Sequence, residues 1–139
     1  MARASVVFVS SLSHFVGYPG AAMYAASKDG LAQYARSVGI ALRATGRHCL
    51  TVFPGPMRTP HAEQFAPVGA SDRRRMDPNQ VAGKILHALA RRQVRLVVGR
   101  GARIAMVVGV LAPTFTTKIM RRTLFERLRS DAQVRGEVV

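Results

Sequence analysis

The sequence predicts an α/β fold in which three parallel strands alternate with helices, followed by a helical C-terminal extension. Three short apolar runs, rich in β-branched residues, lie at residues 6–9, 49–53 and 94–98. Between them lie segments with the three- and four-residue apolar spacing of helices, or with the glycine and proline content of loops. Strands that alternate with helices pair in parallel through right-handed crossovers, so we expect a doubly wound open sheet.

The first strand, residues 6–9, reads Val-Val-Phe-Val and ends at Ser10-Ser11. Because no polar residue interrupts it, both of its faces are expected to be buried, as in a parallel sheet. A helix is predicted from about residue 21 to residue 45, where apolar positions recur at helical steps: Leu31, Tyr34, Ala35, Val38 and Leu42. Gly46 is suited to the C-cap of this helix. Gly39 inside it is a local weakness, tolerable if another helix packs closely there.

The second strand, residues 49–53, stops at Pro54-Gly55-Pro56, and the chain is loop-rich from there to Met76. A further helix is predicted to begin at Asp77-Pro78, because Asp is a favourable N-cap and Pro suits the first helical position. After the third strand, residues 101–129 are predicted to form two helices broken at Pro113. The tail after Ser130 is expected to fray.

Composition is that of a globular protein, with 48% hydrophobic and 20% charged residues. The single cysteine, Cys49, permits no internal disulfide, which predicts a reducing, cytoplasmic setting. No signal sequence or membrane-spanning run is expected, because the apolar run at residues 6–9 is too short for either.

The chain is strongly basic: Lys and Arg number 21 against 7 Asp and Glu, a formal charge of +14. That charge attracts polyanions in general without specifying one.

Tyr24 and Lys28 are four residues apart on the predicted helix and therefore project from the same face. An ammonium group beside a phenol favours the phenolate, and a phenol tuned in this way can exchange a proton with an alcohol or carbonyl oxygen. Ser11 follows a strand at the sheet edge where doubly wound folds bind ligands, so its hydroxyl is placed to stabilise a developing oxyanion. Together these three residues predict an active site.

Two motifs carry a family resemblance. Ser10-Ser11 lies thirteen residues before Tyr24, and the chain then reads Tyr-Ala-Ala-Ser-Lys-Asp-Gly-Leu up to Leu31. After the second strand comes Pro54-Gly55, with Thr59 four residues beyond the glycine. Both motifs, in this order, resemble those of short-chain dehydrogenases/reductases. The resemblance covers about residues 3–98.

This resemblance implies hydride transfer between NAD(P)H and a carbonyl or alcohol. Tyr24 would be the general acid/base, and Ser11 would hold the substrate oxygen. Ser13 is a nearby rival to Ser11, although its spacing to Tyr24 is two residues shorter than the family's. Lys28 would favour the phenolate and bond the nicotinamide ribose. The loop that holds Pro54, Gly55 and Thr59 would flank the nicotinamide, with the threonine bonding its carboxamide.

The resemblance also identifies what is missing. The family's Gly-x-x-x-Gly-x-Gly phosphate loop, its selector between NAD and NADP, its Asn-Asn-Ala-Gly segment and a further catalytic Asn do not occur in this sequence. We therefore expect the C-terminal half of a Rossmann-type doubly wound sheet, truncated or completed by another polypeptide. Residues 1–99 would be a partial catalytic region and residues 100–139 a helical extension. The strand at residues 6–9 would be left as an exposed edge.

Several alternatives stay open. The chain could be a non-catalytic fragment that pairs its first helix, residues 21–45, with a like or related subunit. His14 and Phe15 could touch substrate or lie in an exposed loop, and the run at residues 73–75 could bind an anion or be solvated. The basic, apolar C-terminal region suits either peripheral membrane contact or packing on protein. No specific nucleic-acid motif and no metal-ligand spacing is visible.

Overall fold

A computed structural model of this chain describes residues 4–64 and 75–135. Within them it has three strands and six α-helices, together with a 3₁₀ turn (Leu12–His14) and a π-helical turn (Arg121–Phe125). In chain order these elements are β1 (Ser5–Val9), α1 (Ala22–Ala44), β2 (His48–Pro54), α2 (Pro60–Gln64), α3 (Pro78–Ala90), β3 (Arg95–Val98), α4 (Ala102–Leu111), α5 (Pro113–Met120) and α6 (Glu126–Arg135).

The strands form one parallel sheet in the order β1-β2-β3. Val9 lies opposite Val52 on one side of β2, and Leu96 lies opposite Val52 on the other. The central strand is buried along nearly its whole length. This confirms the predicted α/β class, with three parallel strands, flanking helices and a helical C-terminal part.

The main core lies between β2, β3 and α3. Its fully buried members come from all three elements: Leu50, Val52, Val81, Ala88 and Val98. Helix α3 begins as predicted, with the Asp77 carboxylate accepting a hydrogen bond from the Asn79 amide over 2.8 Å and Pro78 in the first turn. The apolar face of α3 is thereby directed at the sheet.

Helix α1 packs on the sheet through small residues, Ala32, Ala35 and Gly39. The close neighbour of Gly39 is a strand rather than another helix. A Cβ there would lie 3.3 Å from Cys49 Sγ of β2 and 3.2 Å from the Arg43 guanidinium. Gly39 therefore lets the helix approach a strand.

Strand β1 differs from its predicted environment. Among the described residues it pairs with β2 alone; Val9 is exposed, and the rest of the predicted run is only partly buried. The expected open edge is present in this part of the chain, and burial on both faces is not.

The C-terminal region holds more elements than the two predicted helices. The break at Pro113 is confirmed, because α4 ends at Leu111 and α5 begins at that proline. A π-helical turn and α6 follow, and α6 continues to Arg135, past the predicted start of fraying. No helix in the described ranges is long and apolar enough to cross a membrane.

Candidate active site

The carboxyl ends of β1 and β2 and the start of α1 surround a cavity of about 370 Å³. All six residues for which the sequence predicted a catalytic or cofactor role line it: Ser11, Tyr24, Lys28, Pro54, Gly55 and Thr59. The two motifs, which are separated by more than twenty residues along the chain, therefore meet because parallel strands present their carboxyl ends at one edge.

Lys28 is held at the end of β1. Its ammonium group donates a hydrogen bond to the carbonyl oxygen of Val9 over 3.0 Å and lies 5.8 Å from the centroid of the Tyr24 ring. The Ser10 hydroxyl, which is buried, donates to the backbone carbonyl of Lys28 over 2.7 Å. These bonds fix the helix that carries the phenol and the ammonium against the strand that leads to Ser11.

The two candidate serines have different environments. The Ser11 hydroxyl oxygen accepts a hydrogen bond from the Ser13 amide over 3.2 Å and so caps the 3₁₀ turn. A hydroxyl has one donor and two acceptor sites, so this bond leaves the Ser11 proton available for a substrate oxygen. The Ser13 oxygen is buried and has no hydrogen-bond partner within the described ranges. Both serines line the cavity, so its geometry alone does not remove the rival.

Gly55 is needed where β2 ends beside β3. Its amide donates to the Val98 carbonyl over 2.7 Å, and a Cβ on it would lie 3.3 Å from that same oxygen. Thr59 caps helix α2, because its side-chain oxygen accepts a hydrogen bond from the Ala62 amide over 3.2 Å. The loop between them forms one wall of the cavity with little side-chain bulk at the glycine.

The cavity-lining residues that sequence reasoning did not assign to the site include Tyr18, Arg75 and Met120. Burial raises the pKa of the Tyr18 phenol; the Arg75 guanidinium opposes this rise, and nearby Tyr24 adds to it. Tyr18 could have been suspected because it lies in the same loop as His14 and Phe15. Of the basic run at residues 73–75, Arg75 reaches the cavity, and residues 73–74 lie outside the described ranges.

His14 and Phe15 are not part of the cavity wall. Their rings pack together and against Phe53, with centroid distances of 4.7, 5.3 and 4.9 Å among the three. His14 Nδ1 also hydrogen bonds the carboxylate of Asp29 on α1. These contacts anchor the loop.

Among the described residues, no group of three or more His, Cys, Asp and Glu could hold a metal ion.

The C-terminal helices complete the site. Met120, at the end of α5, lines the cavity. Leu128 of α6 packs against Gly20, where a Cβ would lie 2.6 Å from the leucine side chain. The helices that follow β3 thus close over the loop that precedes Tyr24.

Comparison with known proteins identifies this architecture. The sequence profile of the family described as short chain dehydrogenase matches residues 1–68, which include Ser11, Tyr24, Lys28 and the Pro54-Gly55 loop. The chain belongs to the short-chain dehydrogenase family. It is 35% identical over 104 residues to 1-deoxy-11-beta-hydroxypentalenate dehydrogenase of Streptomyces exfoliatus, a match that covers 74% of this chain and 38% of that protein.

Solved structures give the same fold. A short-chain dehydrogenase of Burkholderia cenocepacia, in complex with NADP, has a TM-score of 0.70 at 18% identity, covering 88% of this chain and 48% of that one. One from Streptomyces avermitilis has a TM-score of 0.63 at 21% identity, covering 85% and 50%. A variant of actinorhodin polyketide ketoreductase with NADPH has a TM-score of 0.60 at 25% identity, covering 72% and 47%. The chain spans about half or less of the length of these short-chain dehydrogenases.

Proposed function

We propose that this chain carries the catalytic half of a short-chain dehydrogenase that interconverts an alcohol and a carbonyl with a nicotinamide dinucleotide. The observation that supports this is the convergence of Ser11, Tyr24 and Lys28 on one cavity at the carboxyl edge of a parallel sheet. A hydroxyl, a phenol and an ammonium group in one partly enclosed space are the groups needed to hold and protonate a reacting oxygen.

Each side chain has a distinct task in this proposal. Tyr24 gives a proton to the carbonyl oxygen, or takes it from the alcohol in the reverse direction. Ser11 donates a hydrogen bond to the same oxygen. Lys28 uses one of its three N–H bonds on the Val9 carbonyl, which leaves two for the nicotinamide ribose. The dinucleotide, when bound, supplies or accepts the hydride.

The described residues fit only one end of that cofactor. Lys28 and Thr59 offer donors for the nicotinamide ribose and carboxamide, and Gly55 leaves room beside them. A pyrophosphate needs backbone N–H groups at a helix N-terminus behind a glycine-rich loop. The glycines before α4, Gly99 and Gly101, border a separate open groove between α3 and α4.

Two of the similar structures are of complexes with NADP or NADPH, which supports a nicotinamide dinucleotide as the cofactor here. The choice between NAD and NADP stays open, because the residues that select the adenosine ribose phosphate have no counterpart in this sequence. A cytoplasmic setting likewise remains a prediction.

Turnover at millimolar NADPH or NADH with a panel of ketones and aldehydes tests the proposal through the absorbance of the reduced nicotinamide. Tyr24→Phe should abolish turnover. Tyr34→Phe is the matched control, since Tyr34 lies on the same helix but is exposed and packs edge-on against Phe8. Unchanged turnover in Tyr24→Phe, or no turnover in the wild-type chain at these concentrations, would contradict a catalytic role for this chain.

A non-catalytic interaction module is the second candidate, and the outward side of α1 favours it. Met23, Tyr34 and Ile40 are large apolar residues exposed on that helix, as expected for a surface that pairs with a like or related subunit. Analytical ultracentrifugation of the chain, alone and mixed with a full-length relative, tests this. An Ile40→Asp variant should lose the association.

A further inference from the structure

Helices α4 and α5 differ from ordinary surface helices in which residues they bury and which they expose. Their buried positions hold small residues, since Ala102 is 1% exposed and Gly109 is also buried. Of the five aliphatic residues of α4 larger than alanine, Val108 is half-buried and the other four are exposed, with Ile104 70% and Leu111 78% exposed. A helix that served only to cover the sheet would present these side chains to the core.

The inward side has no room for larger residues. A Cβ on Gly109 would collide with the carbonyl group of Phe15. Helix α4 therefore cannot rotate to bury its aliphatic residues without displacing the loop that carries the His14 and Phe15 rings. The outward direction of the large side chains is set by the packing of this segment.

We call the exposed large apolar residues of these two consecutive helices the α4–α5 apolar face: Ile104, Val107, Val110, Leu111, Phe115 and Ile119. On α4 the positions 104, 107 and 111 recur at three- and four-residue steps, and on α5 the positions 115 and 119 are four apart. Apolar surface gathered in this way marks a site of contact with a protein or a membrane.

The charges beside this face decide between those partners. Residues 100–125 contain no Asp or Glu, and five basic residues lie among them: Arg100, Arg103, Lys118, Arg121 and Arg122. Arg121 lies 3.7 Å from the Glu126 carboxylate, so its charge is partly compensated. The other four are exposed and lie on the same segment as the apolar face: just before α4, on α4, on α5 and in the π-helical turn that follows α5. Basic side chains that flank exposed aliphatic and aromatic ones are complementary to a bilayer with anionic headgroups.

We propose that the α4–α5 apolar face binds the surface of an anionic phospholipid bilayer. The aliphatic and aromatic side chains enter the boundary between headgroups and acyl chains, and Arg103, Lys118 and Arg122 contact the lipid phosphates. Helix α4 has 10 residues, about 15 Å of length. That is half of what a span of the hydrocarbon core requires, so the contact is with the membrane surface. This inference does not depend on the catalytic role of Tyr24.

Co-sedimentation of the full chain with vesicles tests the charge dependence. Vesicles of phosphatidylcholine with phosphatidylglycerol should retain the protein, and vesicles of phosphatidylcholine alone should retain much less. Arg103→Gln and Lys118→Gln should each lower the partition coefficient about fivefold, and added salt should lower it in the wild type. Equal retention by both kinds of vesicle, or retention unaffected by these changes, would overturn the proposal.

Fluorescence tests the apolar contact without relying on a disruptive variant. The sequence contains no tryptophan, so Leu111→Trp introduces a single reporter at an exposed position. Its emission should shift to shorter wavelength when anionic vesicles are added. The matched control is Leu86→Trp on α3, at a residue that is 67% exposed, whose emission should not shift.

A protein contact would give a different pattern. If the face pairs with a second copy, Leu111→Trp emission would depend on protein concentration and not on vesicles. Ile104→Ser with Leu111→Ser would then dissociate a dimer in analytical ultracentrifugation. That result, or equal shifts for the tryptophans at positions 111 and 86, would contradict membrane binding through this face.

Discussion

The Ser10 hydroxyl donates a hydrogen bond to the backbone carbonyl oxygen of Lys28 over 2.7 Å. Ser10 is 2% exposed and is the residue immediately after β1, whereas Lys28 lies in the second turn of α1. The Lys28 ammonium in turn donates to the carbonyl of Val9. Two bonds in opposite directions therefore set the distance between the strand that leads to Ser11 and the helix that carries Tyr24.

Ser10→Ala should lower the free energy of unfolding by about 1 kcal/mol, the usual net contribution of one hydrogen bond within a protein. Urea denaturation followed by circular dichroism measures this. Ser37→Ala is the matched control, because the Ser37 hydroxyl donates to the Gln33 carbonyl over 3.1 Å on the exposed side of the same helix. If Ser37→Ala lowers the free energy of unfolding as much as Ser10→Ala does, the bond between the end of β1 and α1 contributes no more to stability than a bond within one helix.

Gly109→Ala and Gly83→Ala should change stability in opposite directions, although both glycines lie inside helices. A Cβ on Gly109 meets the carbonyl group of Phe15, so overpacking should cost about 1–3 kcal/mol. A Cβ on Gly83 meets nothing within 4 Å. Alanine there should stabilise the chain by about 0.5–1 kcal/mol, because it restricts the unfolded state.

Thermal and urea unfolding of both variants checks this pair. Stabilisation by Gly109→Ala would mean that α4 does not rest on the loop at Phe15. Since the α4–α5 apolar face owes its outward direction to that contact, the same result would remove one of the observations on which the membrane proposal depends.

Local patterns predicted most of the sheet and its helices. The break at Pro113 and the start of α3 at Asp77 follow from the chemistry of proline and of a carboxylate cap, and both are confirmed. The uninterrupted apolar run of β1 indicates burial on both faces, so the exposure of Val9 agrees only with the exposed edge that the absent family motifs predicted. Helix α2 was missed because its five residues carry no apolar period.

The residues of the candidate site likewise include some that the sequence could predict and some that it could not. Its motif residues could be predicted because the spacing of Tyr24 and Lys28 and the Pro54-Gly55 loop are visible in the sequence. Arg75 and Met120 could not be assigned to it. Their side chains reach the cavity through the packing of distant segments, and neither the charge run at residues 73–75 nor the apolar C-terminal region indicates a direction.

Cys49 should be unreactive in the folded chain. It is fully buried within β2, and burial raises the pKa of its thiol, with the Arg43 guanidinium opposing that rise. Only the thiolate reacts readily, so a disulfide reagent at neutral pH should label the folded chain far more slowly than the chain in urea. Because the sequence has a single cysteine, the reagent reports on this site alone.

The same shift has a consequence for stability. At a pH below the ordinary thiol pKa, both the folded and the unfolded chain hold the proton. At a pH between the ordinary and the raised pKa, the unfolded chain loses its proton while the folded chain keeps it, so the free energy of unfolding decreases as pH rises through that window. Cys49→Ala should remove this decrease. An equal alkaline loss of stability in the variant would assign it to other groups.

This 139-residue chain should bind NADPH and NADH more weakly than micromolar. Its described residues offer donors to the nicotinamide ribose and carboxamide, and a glycine-rich phosphate cradle does not occur in the sequence. Calorimetry with NADPH and with reduced nicotinamide mononucleotide separates the two ends of the cofactor. Since the adenosine diphosphate part has no cradle here, its removal should change affinity by less than about tenfold.

Lys28→Met tests whether the ammonium group bonds the nicotinamide ribose of both ligands. It should weaken both ligands alike, because each keeps the ribose that the ammonium would bond. Micromolar binding of NADPH with a large loss for the mononucleotide would instead reveal a phosphate site, for which the basic surface around Arg75 is the place to look. In that case the chain would hold more of the cofactor site than its motifs indicate, and the wild-type turnover assay would no longer need millimolar cofactor.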